Sequence, residues 1–253
     1  MEIKKSLKLN ISNIKQQFNN SKDIIVKEFN VNKLKVAIIY LKGMTDTLML
    51  TDFVIKPMQQ AKKVPNKNII PYIINNIITF PEIANETNFN TIVEEISKGK
   101  VCLFFDGSNQ SYLIELDKYK ERSLTEPPTS AVLKGPREGF NENLKTNLSV
   151  IRKILATDKL DTEMITVGDV TKTQICVMYL KGIATKSVVK QVVNKIKKIS
   201  IDGIIDSYYI AEFLAPRKYS IFKQIGSAEK PDVVAAKMLE GRVAILVDGS
   251  PLV

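Results

Sequence analysis

The 253 residues contain no histidine and no tryptophan, and cysteine occurs only at Cys102 and Cys176. Without histidine no imidazole base, nucleophile relay or haem ligand can be built. Two cysteines set apart in apolar, strand-like runs do not make a zinc site. A disulfide between them would require two buried strands from different halves of the chain to meet, so none is expected. Arginine is scarce as well, confined to Arg122, Arg137, Arg152, Arg217 and Arg242. No stretch approaches the run of about 18 apolar residues that spans a bilayer. Apolar runs such as Val36 to Leu41 and Val243 to Val247 are only of strand length. The start, Met1-Glu-Ile-Lys-Lys-Ser-Leu-Lys, carries basic residues with no apolar stretch behind them, so a cytosolic location is expected rather than secretion.

What is plentiful is lysine, which brings the formal charge to +10. Base readout favours arginine and phosphate tracking favours clustered charge, whereas these lysines are scattered, so no nucleic-acid partner is expected. The densest group, Lys190 with Lys195, Lys197 and Lys198, fits the solvated face of a helix. An anionic membrane surface is the partner such an excess still allows, at about 1 kcal/mol per lysine near the bilayer.

The chain is also written twice. Ile25 to Gly43 aligns without a gap to Met164 to Gly182, both ending in Tyr-Leu-Lys-Gly. Upstream, Asn10-Ile-Ser-Asn-Ile-Lys15 matches Asn147-Leu-Ser-Val-Ile-Arg152. Downstream, Lys98 to Ser108 matches Glu240 to Ser250, each closing on Asp-Gly-Ser. Three matched blocks in one order predict an α/β protein of two homologous subdomains, residues 1–133 and 134–253, each a small mixed sheet flanked by helices.

Within each copy an amphipathic helix comes first, on Leu7, Ile11, Ile14 and Phe18 and then on Phe140, Leu144, Leu148, Ile151 and Leu155. A short strand, a polar turn and the strongest strand of the repeat follow, at Lys35 to Leu41 and at Gln174 to Leu180. The glycine after that strand leads into a helix, half of a βαβ unit. The segments Pro71 to Ile78 and Ile204 to Leu214 fit a second helix or a short strand. Thr91 to Lys98 and Pro231 to Glu240 read as helices, with Pro231 at the first helical position and Gly99 and Gly241 past the last turn. Buried strands follow at Val101 to Phe105 and Val243 to Val247. In the first copy, Ser111 to Leu116 then has an edge-strand pattern. The second copy reaches Val253 where its matching strand is due, so more polypeptide is expected beyond it. Glu126 to Pro136 has linker composition.

The second copy resembles a known family. Gly135-Pro-Arg-Glu-Gly-Phe to Arg152, Val167-Gly-Asp-Val to Tyr179-Leu-Lys-Gly182, and Pro231-Asp-Val-Val-Ala-Ala to Val-Asp-Gly-Ser-Pro251 are similar to the A subunit of bacterial spore germinant receptors. The resemblance implies a soluble amino-terminal portion on the cytosolic side of the spore inner membrane, followed by a membrane-embedded half. It implies partners too, a membrane B subunit and a lipoprotein C subunit, with which such proteins sense nutrients and trigger ion release.

Asp106 and Asp248 end core strands, a place where α/β proteins often bind ligands, and equally a place where a carboxylate caps local turn amides. Lys42-Gly43 and Lys181-Gly182 could present a cation and backbone amides to an anion, although no phosphate-binding glycine pattern accompanies them. Arg137, Glu138 and Gly139, set between Pro136 and Phe140, are candidates for binding a carboxylate, a lipid phosphate or a partner subunit. Their plainer use is to shape the lead into a helix anchored by Phe140. Ser108 and Ser250 lack the elbow and base of a hydrolase, so no catalytic residue, metal or cofactor is predicted. The expected function is transduction. A ligand or subunit would alter the orientation of the two repeats and pass that movement to the membrane half. The alternatives are a nutrient held between the repeats near Lys42, Asp106, Lys181 and Asp248, and a structural scaffold for homo-oligomers.

Overall fold

The computed structural model describes residues 2–61, 64–65, 67–116, 136, 138–217, 220–222 and 224–253. The chain divides into two compact units, one of Met1–Tyr119 with Ala156–Asp158, the other of Lys120–Leu155 with Lys159–Val253.

Unit 1 runs α1 (Leu7–Gln17), β1 (Ile24–Val31), β2 (Leu34–Leu41), a broken helix, β3 (Ile83–Glu86), α5 (Phe89–Ser97), β4 (Val101–Phe105) and β5 (Ser111–Ile114). Its five strands lie in the order β1-β2-β4-β5-β3, every neighbour antiparallel. Side chains alternate across the central strands. Ala37, Ile39, Leu41, Cys102 and Phe104 join α1 and α5 in one core, while Val36, Ile38, Leu103 and Phe105 join the broken helix in a second. Both sheet faces are therefore covered, and this explains why β4 is buried at all five positions. Each fully buried aliphatic or aromatic side chain in such a sheet contributes about 1.5–3 kcal/mol.

The broken helix comprises α2 (Thr47–Leu50), a π turn (Thr51–Ile55) and α3 (Lys56–Gln60), then α4 (Ile69–Tyr72) and a second π turn (Ile73–Ile77). Pro57 has no N–H to give the Phe53 carbonyl four residues back, and its ring would crowd that oxygen. The π turn opens the backbone there, and Phe53 O accepts from Thr79 N–H at 3.2 Å instead.

Unit 2 runs α6 (Leu144–Ile154), β6 (Leu160–Val167), β7 (Thr173–Leu180), α7 (Lys186–Lys197), α8 (Ser207–Leu214), α9 (Pro231–Leu239) and β8 (Ala244–Val247). Its sheet, β6-β7-β8, is antiparallel. Cys176, Met178, Leu180 and Leu246 pack with α6 and α9, whereas Ile175, Val177 and Val247 pack with α7 and α8. This is the two-faced scheme of unit 1 again.

The α/β class and the helix-flanked sheets are as expected, but pairing is antiparallel throughout rather than mixed. The helical segment after Gly43 thus leads to β3 at the far edge of the sheet, and that after Gly182 precedes the antiparallel neighbour β8, so neither completes a βαβ unit. One strand changes place as well. Ser111–Ile114 was expected at the sheet edge, yet it lies between β4 and β3 with all four residues buried. The edge belongs to β3, whose Ile-Ala-Asn-Glu sequence carries no alternation to reveal it. No helix among the described residues is long and apolar enough to cross a membrane.

Candidate functional site

The residues shared by the two copies build the same junction twice. In unit 1 the carboxylate of Asp106 accepts from the Leu7 N–H, the first amide of α1, at 3.1 Å; in unit 2 Asp248 accepts from Leu144 N–H of α6, also at 3.1 Å. A carboxylate there satisfies an amide that the helix leaves unpaired and complements the positive end of its dipole. The next residue turns the chain back. Gly107 and Gly249 have φ of +83° and +88°, and their amides donate to Lys5 O and Glu142 O, each at 2.8 Å. A backbone with φ this far positive strains a residue that carries a Cβ, whereas glycine adopts it freely.

A buried asparagine completes each junction. The Oδ1 of Asn10 accepts from Lys4 N–H at 2.9 Å and its Nδ2 donates to Lys4 O at 2.6 Å. Asn147 makes the same pair of bonds to Asn141, at 2.9 and 2.5 Å. Both amides are almost fully enclosed, at 1% and 0% exposure. They fix the segment before the helix against the helix itself, and their alignment in the repeat was the only signal of this role.

The Lys-Gly turns stand at the other end of each sheet. Lys42 follows β2 and donates its amide to Asp23 O at 2.8 Å, while Asp106 bonds to Lys35 O at the start of that strand. Seven residues of strand separate Lys35 from Lys42, about 23 Å. Unit 2 repeats this layout, with Lys181 bonded to Lys159 O and Asp248 to Gln174 O. Within either unit, therefore, the aspartate and the Lys-Gly turn do not converge on one point. Gly43 and Gly182, with φ of +88° and +85°, shape the turns, and the lysine side chains are exposed.

A third locus lies in unit 2. Arg137 falls outside the described residues. Gly139 is buried, and Phe140 enters the core while its amide donates to Glu229 O at 2.8 Å. Glu138 lines a cavity of about 400 Å³ together with Pro136, Val150, Lys153, Ile154, Pro231 and Asp232. Its walls are mainly apolar, with one cation and two carboxylates among them. The Oδ1 of Asp232 is shut off from solvent and meets no hydrogen-bond donor among the described residues. A buried acceptor without a donor costs about 1–3 kcal/mol, and this oxygen, shut off as it is, is not open to an occupant of the cavity.

Ser250 shows how the copies have diverged. Ser108 turns in on its own loop, bonding Gln110, whereas Ser250 is buried and donates to Asp206 Oδ1 at 2.6 Å, beside Ser207. The Ser250 hydroxyl, followed by that of Ser207, holds the Asp206 carboxyl below the usual carboxylate range. Elsewhere burial pushes the Cys102 thiol well up and, with Asp161 alongside, the Tyr179 hydroxyl up to about 12. Neither group is thereby made a nucleophile or a base near neutral pH.

A model of the Bacillus/Clostridium GerA spore germination protein family matches residues 12–253. The chain belongs to the GerA family. Among GerA-family relatives, Spore germination protein KA of Bacillus subtilis (strain 168) is 33% identical, over 99% of this chain and 47% of that protein. Spore germination protein A1 of the same organism is 33% identical, over 100% of this chain and 52% of that one. This chain thus spans about half the length of the curated relatives it matches. In three dimensions it is similar to the crystal structure of the N-terminal domain of the A subunit of the Bacillus megaterium spore germinant receptor GerK3. The TM-score is 0.77 and the identity 30%, over 100% of this chain and 94% of that one.

Proposed function

We propose that this GerA-family chain is the amino-terminal domain of a germinant receptor A subunit, acting in nutrient-triggered spore germination by binding and signal transduction rather than by catalysis. The observation that carries this is the match over its whole length to the N-terminal domain of the GerK3 A subunit. In this proposal the domain lies on the cytosolic side of the spore inner membrane, joined to a membrane-embedded half and assembled with B and C subunits. The cavity beside Glu138, Lys153 and Asp232 receives a nutrient or a subunit segment, and the segment 136–140 carries the response into α6 through the buried Phe140.

The test is made in spores. Receptor variants Asp232→Asn, Arg137→Ala and Gly139→Ala should reduce the rate of nutrient-triggered germination at least about tenfold, equivalent to roughly 1.4 kcal/mol of lost coupling, at unchanged receptor abundance. Normal germination in all three would sink the binding reading. Loss of germination matched by loss of the protein from spore membranes would reduce these residues to folding determinants.

A second reading, direct nutrient sensing, rests on the same cavity. In an NMR titration with amino acids, nucleosides, sugars and monovalent salts it requires saturable shifts at Glu138, Lys153 and Asp232. Flat spectra at millimolar ligand would leave a receiver of signals from another subunit.

A further inference from the structure

Unit 2 repeats β1, β2 and β4 of unit 1 as β6, β7 and β8, and then presents the two flanks of a fourth strand. In unit 1, β5 lies between β4 and β3. The corresponding flanks in unit 2 are β8 and residues 225–228. Ala228 and Val253 already exchange both backbone hydrogen bonds, Ala228 N–H to Val253 O at 2.8 Å and Val253 N–H to Ala228 O at 3.1 Å. Their counterparts, Glu86 and Ser111, are a pair of the β3·β5 ladder. Ala228 follows Glu86, and Val253 follows Ser111, by the 142 residues (248 minus 106) that separate Asp248 from Asp106. Side chains agree with this register. Ile225 packs on the α7 and α8 side as Ile83 packs on the corresponding side of unit 1, and Val253 packs on the α6 and α9 side with Leu246.

The β8 edge facing the gap is open among the described residues. The Asp248 amide points to β7, bonding Gln174 O at 2.9 Å. Successive amides of a strand alternate sides, so those of Ile245 and Val243 point away from β7. In unit 1 the same edge of β4 is filled, with Leu103 opposite Tyr112 and Val101 opposite Ile114. An open edge between two apolar layers is a template for one more strand.

We propose that this slot takes a strand from the polypeptide that continues after Val253. Positions 253–256 run antiparallel to 243–246, with 254 opposite Ile245 and 256 opposite Val243, and pair on their other side with 225–228. The occupant is fixed by Val253 itself, which forms the first pair, and by relatives of which this chain covers only about half. A segment joined directly to Val253 has an effective concentration that a second copy of the chain does not match. Positions 254 and 256 then face the α7 and α8 core and 255 faces the α6 and α9 core, as Tyr112, Ile114 and Leu113 do in unit 1. Whatever follows the strand is thereby tethered to a hydrogen-bonded member of the unit 2 sheet, which gives this unit a stiff mechanical output.

Amide hydrogen exchange on the full-length protein in detergent tests this, with unit 1 as the internal reference. Ile245 should be protected to within about tenfold of its counterpart Leu103. In the Ala228→Pro variant, which removes a donor from the first pair, Ile245 should lose at least about tenfold of that protection. The Leu246 amide, which points to β7, should stay slow and so report an intact sheet. Exchange of Ile245 at the rate of a solvent-exposed amide, with Leu246 slow, would overturn the proposal. So would protection that rises with protein concentration, because the occupant would then be a second copy.

Discussion

The two units share a junction and differ in how much depends on it. Helix α1 has no capping side chain of its own at Ser6, so Asp106 is its principal cap; helix α6 has Asn143 accepting from Thr146 N–H at 3.1 Å as well as Asp248. The hairpins diverge more. In unit 1, Asn32 and Lys33 close β1 to β2 in a two-residue turn with Asn32 at φ +55°, the positive φ that lets such turns match the right-handed twist of the strands. In unit 2 five residues separate Val167 from Thr173, and the loop grips the segment before α8: Val170 N–H donates to Asp202 O at 2.7 Å, and Thr171 Oγ1 accepts from Ile204 N–H at 3.1 Å. Duplication has kept the Asn and Asp contacts that hold helix to sheet, and has left the loops and Ser250 free to acquire separate partners.

The largest expected effect tests whether the junctions are equivalent. Asn10→Ala and Asn147→Ala each break two hydrogen bonds between a buried amide and the backbone of the preceding segment, and should cost about 2–3 kcal/mol in urea unfolding, by similar amounts in the two units. A cost near zero in one unit alone would show that only the other still depends on its junction.

Next in size is the divergence at the serine. Ser250→Ala should cost about 2 kcal/mol, because it removes a buried donor to a carboxylate, while Ser108→Ala should stay within about 0.5 kcal/mol. The Ser250 effect is also pH-dependent. Asp206 is held low in the folded state, so its stabilisation is fully present above its unfolded pKa of about 4 and is lost as pH falls through the lower folded value. The deficit of Ser250→Ala should therefore be full at pH 7 and shrink below about pH 4. A pH-independent deficit would assign it to packing instead.

The capping aspartates should separate the units less sharply. Asp106→Ala should cost about 1.5 kcal/mol and Asp248→Ala about 0.5–1 kcal/mol, since α6 keeps Asn143. The reverse order in thermal melts would mean that the second cap adds nothing. Smallest of all, Lys42→Ala and Lys181→Ala should each change stability by less than about 0.5 kcal/mol, their side chains being exposed. Any larger change in germination than in melting would assign the lysines a binding role.

The strands of this protein were legible because both faces of each sheet are covered, which leaves near-continuous apolar runs such as Val36 to Leu41 and Val101 to Phe105. Helix starts and stops were legible at Pro231, Gly99 and Gly241 for local reasons. β3 was not, because a short, polar strand takes its conformation from β5 rather than from its own side chains. The duplicated aspartates were found by alignment, but the amides they cap lie 99 and 104 residues away in sequence, so local turn chemistry named the wrong partner for them. The Asp232 oxygen carried no signal at all, since its want of a donor among the described residues is a property of tertiary packing.

By itself, then, the sequence determined a duplicated α/β chain, the residue pairs that correspond between the copies, the exclusion of histidine chemistry and the family resemblance. These rest on composition, periodicity and repetition, all of which are local or translational. Only the tertiary structure decided that the sheets are antiparallel, that β5 is internal, and that Asp106 and Asp248 hold helix ends while the Lys-Gly turns stand about 23 Å away. Those facts depend on which distant groups meet, and a buried polar group is satisfied by whatever partner the folded chain brings to it.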